Sequence, residues 1–380
     1  MSEELDRLFD AFDRGRLSRR QLLKGLGVAV ALAPAAAAFG AQGSCGGAMA
    51  GTPGCDTTPA PLPFASTGWK TVLLDHFSCE VADHEKEAAY YHALMNWAVR
   101  SDSATEAVLD IGDWGGIVIR GGFHPTAAAV AAEKAQYERM SAQAAKRGFK
   151  MGPFVPRNAN FTGFCWGIEP WDTQTVEAEL RKRGLNPVAE HHGDFQSFHV
   201  KDPDGFDLQI SNGNRSNRRR TPATGTLKAA APFAHTDWKT IWLDHISFEV
   251  TDYKKSVAFY QALLGWKGTG DEGSQNQVQI GDVGDAIIRR NYRVDKMGRP
   301  MGPVPHGARI GHIAFGITPF DPVKVKAELE KRGLPAREDT GARGPIATAA
   351  YKSYHTTTPN GFDLQVSSTT METREPPTFF

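Results

Sequence analysis

The sequence predicts an α+β chain of four βαβββ modules, arranged as two tandem domains. Three observations carry this expectation. The segment "PFASTGWKTVLLDHFSCEV" from Pro63 aligns without a gap with "PFAHTDWKTIWLDHISFEV" from Pro232, so one domain is written twice. The same offset carries Tyr91 onto Tyr260, Trp97 onto Trp266 and "IGD" at Ile111 onto "IGD" at Ile280; further on, "WGIEPWD" at Trp166 matches "FGITPFD" at Phe315, and "KRGL" at Lys182 matches "KRGL" at Lys331. Within each copy the order of strand, helix and strands then occurs twice.

The N-terminus comes first. Arg19 and Arg20 precede Lys24 and a weakly apolar, Ala-rich run from Gly25 to about Ala41. This order resembles a bacterial twin-arginine export signal, with Leu22 where such signals usually carry Phe. The resemblance implies cleavage near Ala38 or Ala41, passage through the twin-arginine machinery in the folded state, and a periplasmic or otherwise exported location. The alternative is an N-terminal helix with a chance Arg pair. The run contains Pro34 and is too short and too weakly apolar for a stable membrane span. With residues 1–45 assigned to the signal, 46–62 read as flexible linker, 63–213 as the first domain, 214–231 as a polar, Pro-containing linker, 232–370 as the second domain and 371–380 as a tail. The run Arg218 to Arg220 reads as solvated linker charge.

In the second domain "TIWLDHISFEV" alternates with period two and is rich in aromatic and β-branched residues, which predicts a strand. Val257, Tyr260, Leu263 and Leu264 then fall at helical spacing behind a candidate N-cap, Asp252. "NQVQIGDVGDAIIRR" predicts two or three strands turning at glycines. "IGHIAFGI" opens the next module as a strand, and a helix follows with Asp321 as N-cap, Pro322 at its first position and Gly333 past its end. "KSYHTTTPNGFDLQVS" closes the module as a hairpin turning at Pro359-Asn360-Gly361. The first domain adds an Ala-rich segment from Thr126, in which Val130, Tyr137, Met140 and Ala144 form a stripe. It predicts an inserted helix within 125–148 that ends at Gly148 and packs on the domain, with a lid over a pocket as the alternative.

A length of 380 residues suits two domains of ordinary size. Lys+Arg and Asp+Glu both number 43, so nothing in the overall charge points to nucleic acid or an acidic membrane surface. Four cysteines are too few for a disulfide scaffold. Cys79 and Cys165 sit in apolar strands as core residues, whereas Cys45 and Cys55 lie in a Gly/Pro-rich stretch where an oxidising compartment would let them pair.

His245 lies in the first strand of the second domain, His312 in the strand opening its second module, and "TPNGFDLQVS" carries Gln365 on the closing strand. With this pattern over Pro63 to Ser368, the chain resembles the vicinal-oxygen-chelate superfamily, which includes glyoxalase I, extradiol dioxygenases, fosfomycin-resistance enzymes and bleomycin-binding proteins. The resemblance implies two glyoxalase-like domains, in each of which two modules curl into an open half-barrel. It further implies one divalent metal (iron, manganese or zinc) held by His245, His312 and Gln365. Two imidazoles and one oxygen leave positions open for a bidentate substrate or O2. Four-ligand members take a carboxylate from the strand that here reads Ala286 to Arg289, and none stands there. Most three-ligand relatives carry Glu where Gln365 stands; an amide oxygen adds no charge and holds a divalent ion less tightly. Asp363, two residues earlier, shares that strand face as an alternative ligand or as an orienting group. Without the resemblance, His245 and His312 read as core histidines bonded to backbone carbonyls.

In the first domain His76 matches His245 and Gln209 matches Gln365, but Gly163 stands where a second His is needed. That copy reads as degenerate, structural or regulatory. His199 and His355 occupy the hairpin position where ring-cleaving dioxygenases usually carry an acidic Tyr, so the resemblance makes His355 the catalytic acid/base; a surface-facing hairpin residue is the other reading. His192 alone keeps the upstream spacing of that signature. Arg289, with Arg120 as its counterpart, reads either as an anchor for an anionic substrate group or as a strand-end surface charge. The expectation is an exported metal-dependent enzyme acting on a small oxygen-rich or aromatic compound, dioxygenase-like, with its chemistry in the second domain. The alternative is a metal-free small-molecule binding protein of the bleomycin-resistance type, and a third is a pairing scaffold.

Overall fold

The computed structural model describes residues 57–146, 154–292, 294, 299–300, 307–341 and 345–374, the side chains of Met140, Gln143 and Ala144 excepted. The export signal, its cleavage site and the Cys45–Cys55 pairing lie outside the described residues. The first domain contains β1 (Lys70–Val81), α1 (His84–Met95), β2 (Ala98–Asp102), β3 (Glu106–Asp110) and β4 (Gly116–Arg120) as one module. After α2 (Ala127–Lys146), a second module follows: β5 (Ala159–Glu169), α3 (Thr173–Lys182), β6 (Val188–His192), β7 (Phe195–Lys201) and β8 (Asp207–Ser211). The second domain repeats the plan with β9 (Lys239–Val250), α4 (Tyr253–Leu264), β10 (Lys267–Asp271), β11 (Gln275–Ile280) and β12 (Gly284–Arg290). It closes with β13 (Arg309–Thr318), α5 (Pro322–Lys331), β14 (Arg337–Asp339), β15 (Ser353–Thr357) and β16 (Asp363–Ser367).

Each domain is one eight-stranded mixed sheet, ordered β2-β3-β4-β1-β5-β8-β7-β6 in the first and β10-β11-β12-β9-β13-β16-β15-β14 in the second. The opening strands of the two modules meet antiparallel at the sheet centre, β1 on β5 and β9 on β13. Alternation assigns the faces: Ile246, Phe248 and Val250 are fully buried in the core, while His245, Ser247 and Glu249 point the other way. The cleft is therefore the polar side of the sheet.

The predicted helix signals are in place. Asp252 accepts from the Lys255 backbone N–H at 3.2 Å and Asp321 from that of Lys324 at 2.9 Å, and Gly333 takes a left-handed φ of 70° that a side chain would strain. Val257, Tyr260, Leu263 and Leu264 are all buried. The two domains share one continuous apolar core, in which Phe77 meets Phe315 and Phe164 meets Phe248. Their junction is reciprocal: the Thr67 N–H donates to Ala262 O and the Thr236 N–H to Ala93 O, each at 3.0 Å. Among the described residues no helix is long and apolar enough to cross a membrane.

Two expectations need correction. The inserted helix forms, but none of its described side chains is buried; it touches the domain through a Tyr137–Phe154 ring contact and a Glu133 carboxylate that accepts from the Arg157 N–H. Its Ala-rich stripe carries too little apolar area to be drawn into the core, and Gly148 lies outside the described residues. The linker arginines are not simply solvated charge. Arg220 is exposed, but Arg218 pairs with Asp75, and Arg219 reaches both the Asp75 carbonyl and, at 3.0 Å, Asp110. A buried carboxylate such as Asp75 needs a counter-charge, and the linker supplies it. A Cβ on Gly116 would collide with the Arg219 guanidinium, so glycine there makes room for it. The start of the tail behaves likewise: Arg374 donates to Gly281 O at 2.7 Å and pairs with Asp285 at 2.9 Å.

Candidate metal centre

Strand register brings the predicted residues together. Across the second sheet His245 pairs with Ala314, Ala314 with Gln365 and Gln365 with His355; one step along, Ser247 pairs with His312 and His312 with Asp363. Residues paired in a ladder share a face. His245, His312, Gln365 and His355 therefore all project into one cleft from adjacent strands.

The two imidazoles converge, with His245 Nε2 and His312 Nε2 lying 2.9 Å apart. That is about the edge of an octahedron with bonds of ~2.1 Å, the usual metal–imidazole length. Asp244 Oδ1 lies 3.2 Å from His245 Nδ1, an arrangement that places the proton on Nδ1 and leaves Nε2 as the donor. Burial, reinforced by His245, His355 and Arg289, pushes the His312 pKa well down, so this ring is neutral and able to ligate. Gln365 is fixed from its nitrogen side: Nε2 donates to Ser353 Oγ at 2.7 Å and to Tyr351 Oη at 2.9 Å. Tyr351 in turn donates to Asp244 Oδ2 at 3.0 Å, closing a chain from one candidate ligand to another. The remaining amide oxygen, Gln365 Oε1, is buried and has no partner among the described residues. Neither His245 nor His312 hydrogen-bonds a backbone carbonyl among the described residues, which is what core histidines would need. An enclosed, orphaned oxygen beside two convergent nitrogens fits a cation.

His312, His355 and Asp363 also lie close enough to form a ligand group. Asp363 is already engaged, however: Oδ1 lies 2.9 Å from His355 Nδ1, and Oδ2 accepts from Arg337 at 2.8 Å. It therefore orients His355 rather than replacing Gln365. His355 has its second nitrogen 3.2 Å from Asp339 Oδ2 and is only 5% exposed, so the surface-facing reading is wrong. Burial opposes the charge on His355, but Asp339 and Asp363 outweigh it and raise its pKa; His355 in turn holds Asp339 down to about 2. The nearest carboxylate to the fourth-ligand strand, Asp285, is buried and occupied by Arg374; burial pushes it up to about 7. Asp339, Tyr351, Asp285 and Arg374 went unnoticed in the sequence, where none sits in a recurrent motif, and Asp244, though it stands in the repeated Leu-Asp-His with Asp75, carried no signal of its role.

The first domain keeps the frame and lacks the centre. Gly163 holds the position of His312, opposite Ser78 and Asp207, where a Cβ would strike the Asp207 backbone. Gln209 Nε2 donates to Ser197 Oγ at 2.8 Å and to Glu190 Oε2 at 3.0 Å. His199 is clamped between Asp207 at 2.8 Å and Glu190 at 2.6 Å, as His355 is between its two carboxylates. His192 is exposed and lies 2.7 Å from Glu190. Asp75, His76 and Cys165 cluster, but Asp75 is held below the usual carboxylate range by His76 and Arg218 despite burial, and burial pushes the Cys165 thiol well up. A guanidinium thus stands where a metal would need that carboxylate. What remains is a cleft of about 770 Å³ between His76, Val108, Phe164, Gln209 and Arg218.

No protein-family model matches the chain, and no curated protein matches its sequence. Solved structures do match. The Mn(II)-bound glyoxalase from Novosphingobium aromaticivorans is 14% identical with a TM-score of 0.50, over 79% of this chain and 82% of the other. The 2,3-dioxygenase LapB from Pseudomonas sp. KL28 is 13% identical with a TM-score of 0.50, over 78% of this chain and 92% of the other. Homoprotocatechuate 2,3-dioxygenase from Brevibacterium fuscum, in complex with 3,4-dihydroxyphenylacetate, is 14% identical with a TM-score of 0.50, over 83% of each chain. The fold is therefore that of these glyoxalase and dioxygenase structures, two tandem glyoxalase-like domains.

Proposed function

We propose that the chain is a metal-dependent enzyme whose second domain acts on a small oxygen-rich or aromatic compound, with dioxygenase-like chemistry as the best reading. The observation that carries it is the convergence of His245 Nε2 and His312 Nε2 at 2.9 Å beside the buried, partnerless Oε1 of Gln365. His245, His312 and Gln365 would hold a divalent ion such as iron, manganese or zinc. Bound there, the ion would supply an electrophile for two adjacent substrate oxygens.

The surrounding residues do the positioning. Asp244 keeps the Nδ1 proton of His245 in place, and Tyr351 and Ser353 fix the Gln365 amide with its oxygen toward the cleft. His355 is the proton store: Asp339 and Asp363 stabilise its charged form, and its 3.2 Å contact to Asp339 is the longer of the two. A substrate oxygen displacing Asp339 from Nε2 would receive that proton. The duplicate clamp on His199 shows that the His–carboxylate unit also builds the hairpin. Its use in catalysis depends on the imidazoles beside it.

The Arg19–Arg20 signal supports export through the twin-arginine route, tested by fractionating cells that carry Arg19→Lys with Arg20→Lys. The enzyme reading is tested by metal analysis of purified protein beside His312→Ala. About one equivalent in the wild type, lost in the variant, supports it. A wild type without metal, folded as well as the variant, moves the assignment to a metal-free binding protein.

A further inference from the structure

Arg289 and Arg120 hold the same ladder position in the two domains and differ in what surrounds them. Arg120 is opposed across β3–β4 by Glu106, and the two form an exposed pair at 3.3 Å. Across β11–β12 the residue opposing Arg289 is Gln275, whose amide is turned to Glu272 at 2.9 Å. On the other side, Glu249 is the ladder partner of Arg289, but its carboxylate is taken by Arg309 at 2.6 Å. Among the described residues Arg289 thus makes no hydrogen bond or ion pair, and its Nε is closed off from solvent. This is not a strand-end surface charge.

Its direction is set by register. Ile287 pairs with Ser247 and Arg289 with Glu249, on the face that carries His245 and His312. Its charge is felt at His312, and burial holds its own pKa below the usual arginine range. Among the described residues, three polar atoms on this face are buried without a partner: Arg289 Nε, Ser247 Oγ and Gln365 Oε1. Their counterparts Arg120, Ser78 and Gln209 have none. Glu249, Glu272 and Asp339 lie near enough to favour the charge on Arg289, but none of them hydrogen-bonds it. A half-desolvated guanidinium with its donors unused is unfavourable, and an anion entering the cleft supplies the missing acceptor.

We propose that Arg289 docks a carboxylate of the substrate, so that the second domain's cleft takes an organic acid rather than a neutral compound. The planar guanidinium fork matches a carboxylate in two parallel hydrogen bonds. Phosphate chemistry fits less well, because Glu249, Glu272 and Asp339 all lie near enough to act on Arg289 and would repel a dianion. The place of the reacting group rests on the metal-centre reading above; the anion site itself does not.

The test therefore uses metal-free full-length protein and two small probes, benzoate and benzamide, titrated by calorimetry, with inorganic phosphate as competitor. Benzoate is expected to bind tighter than benzamide by on the order of ten-fold, the worth of a charge-assisted pair. Arg289→Gln should erase that preference and leave benzamide unchanged, and Arg289→Lys should restore part of it. Equal binding of the two probes, no benzoate binding, a preference that survives Arg289→Gln, or phosphate outcompeting benzoate overturns the proposal. Because no metal is present, a failed metal analysis sinks the enzyme reading and leaves this result standing.

Discussion

Trp97 Nε1 donates to Thr240 Oγ1 at 2.9 Å, and the counterpart bond, Trp266 Nε1 to Thr71 Oγ1 at 3.0 Å, runs back from the second domain to the first. Each indole stacks on a tyrosine of its own domain, Trp97 on Tyr91 and Trp266 on Tyr260, and all four residues are buried. The domains are thus locked by a repeated contact, a structural role for the first that needs no metal centre. Thr240→Val keeps the shape and removes the acceptor, leaving a buried indole N–H unpaired at a cost of about 1–3 kcal/mol. Urea unfolding followed by Trp fluorescence and by circular dichroism should show that loss with one transition retained. Two separated transitions in the wild type would show that the domains are not coupled.

The linker makes a second, sharper prediction. Asp75 is almost wholly buried and Arg218 is its counter-charge. Arg218→Met should destabilise the protein by about 2 kcal/mol, below the 3–5 kcal/mol of a fully buried pair because Arg218 is 31% exposed. Asp75→Asn combined with Arg218→Met should recover part of that loss, since the stranded charge is gone. A double variant no better than the single one, measured by thermal melting, would count against the pair.

These contrasts show what could be read in advance. The repeat, the strand faces, the caps at Asp252 and Asp321 and the gap at Gly163 all follow from local periodicity or from aligning the chain on itself. The linker arginines do not, because a run of charge carries no information about a carboxylate 143 residues away. Of the two partners of His355, Asp363 was legible as an orienting group and Asp339 was not: it sits in a three-residue edge strand with no pattern of its own. The orphaned oxygen of Gln365 and the missing partner of Arg289 are relations between strands, and only register exposes them.

His199 yields a pH prediction in the domain without a centre. The hydrogen bond to Asp207, then that to Glu190, raises its pKa above the ordinary histidine value despite partial burial. A group whose pKa is higher in the folded state stabilises fully below the unfolded value and loses that contribution as pH rises through the folded one. His199→Gln should therefore cost more stability at about pH 6 than at pH 9, where the wild-type ring is already neutral. Equal costs at both pH values, from parallel urea titrations, would show that the charge does not matter.

The last prediction concerns the glutamine. Gln365 offers a neutral oxygen to any cation between the two imidazoles, and Ser353 Oγ and Tyr351 Oη accept from its nitrogen. In Gln365→Glu the site gains a negative charge, which outweighs the loss of the two amide donations, because the Ser353 and Tyr351 hydroxyl hydrogens are already given to the Asp339 carbonyl and to Asp244. A divalent ion should then resist a chelator at about ten-fold higher concentration, a gain of ~1.4 kcal/mol. Tyr351→Phe gives the opposite result, because Asp244 loses a donor and the amide loses an acceptor, leaving His245 and Gln365 less well held. Chelator titration with metal content as the readout checks both. If Gln365→Glu and Tyr351→Phe both release metal at the wild-type concentration, Gln365 is not a ligand, and the two imidazoles hold the ion with some other oxygen.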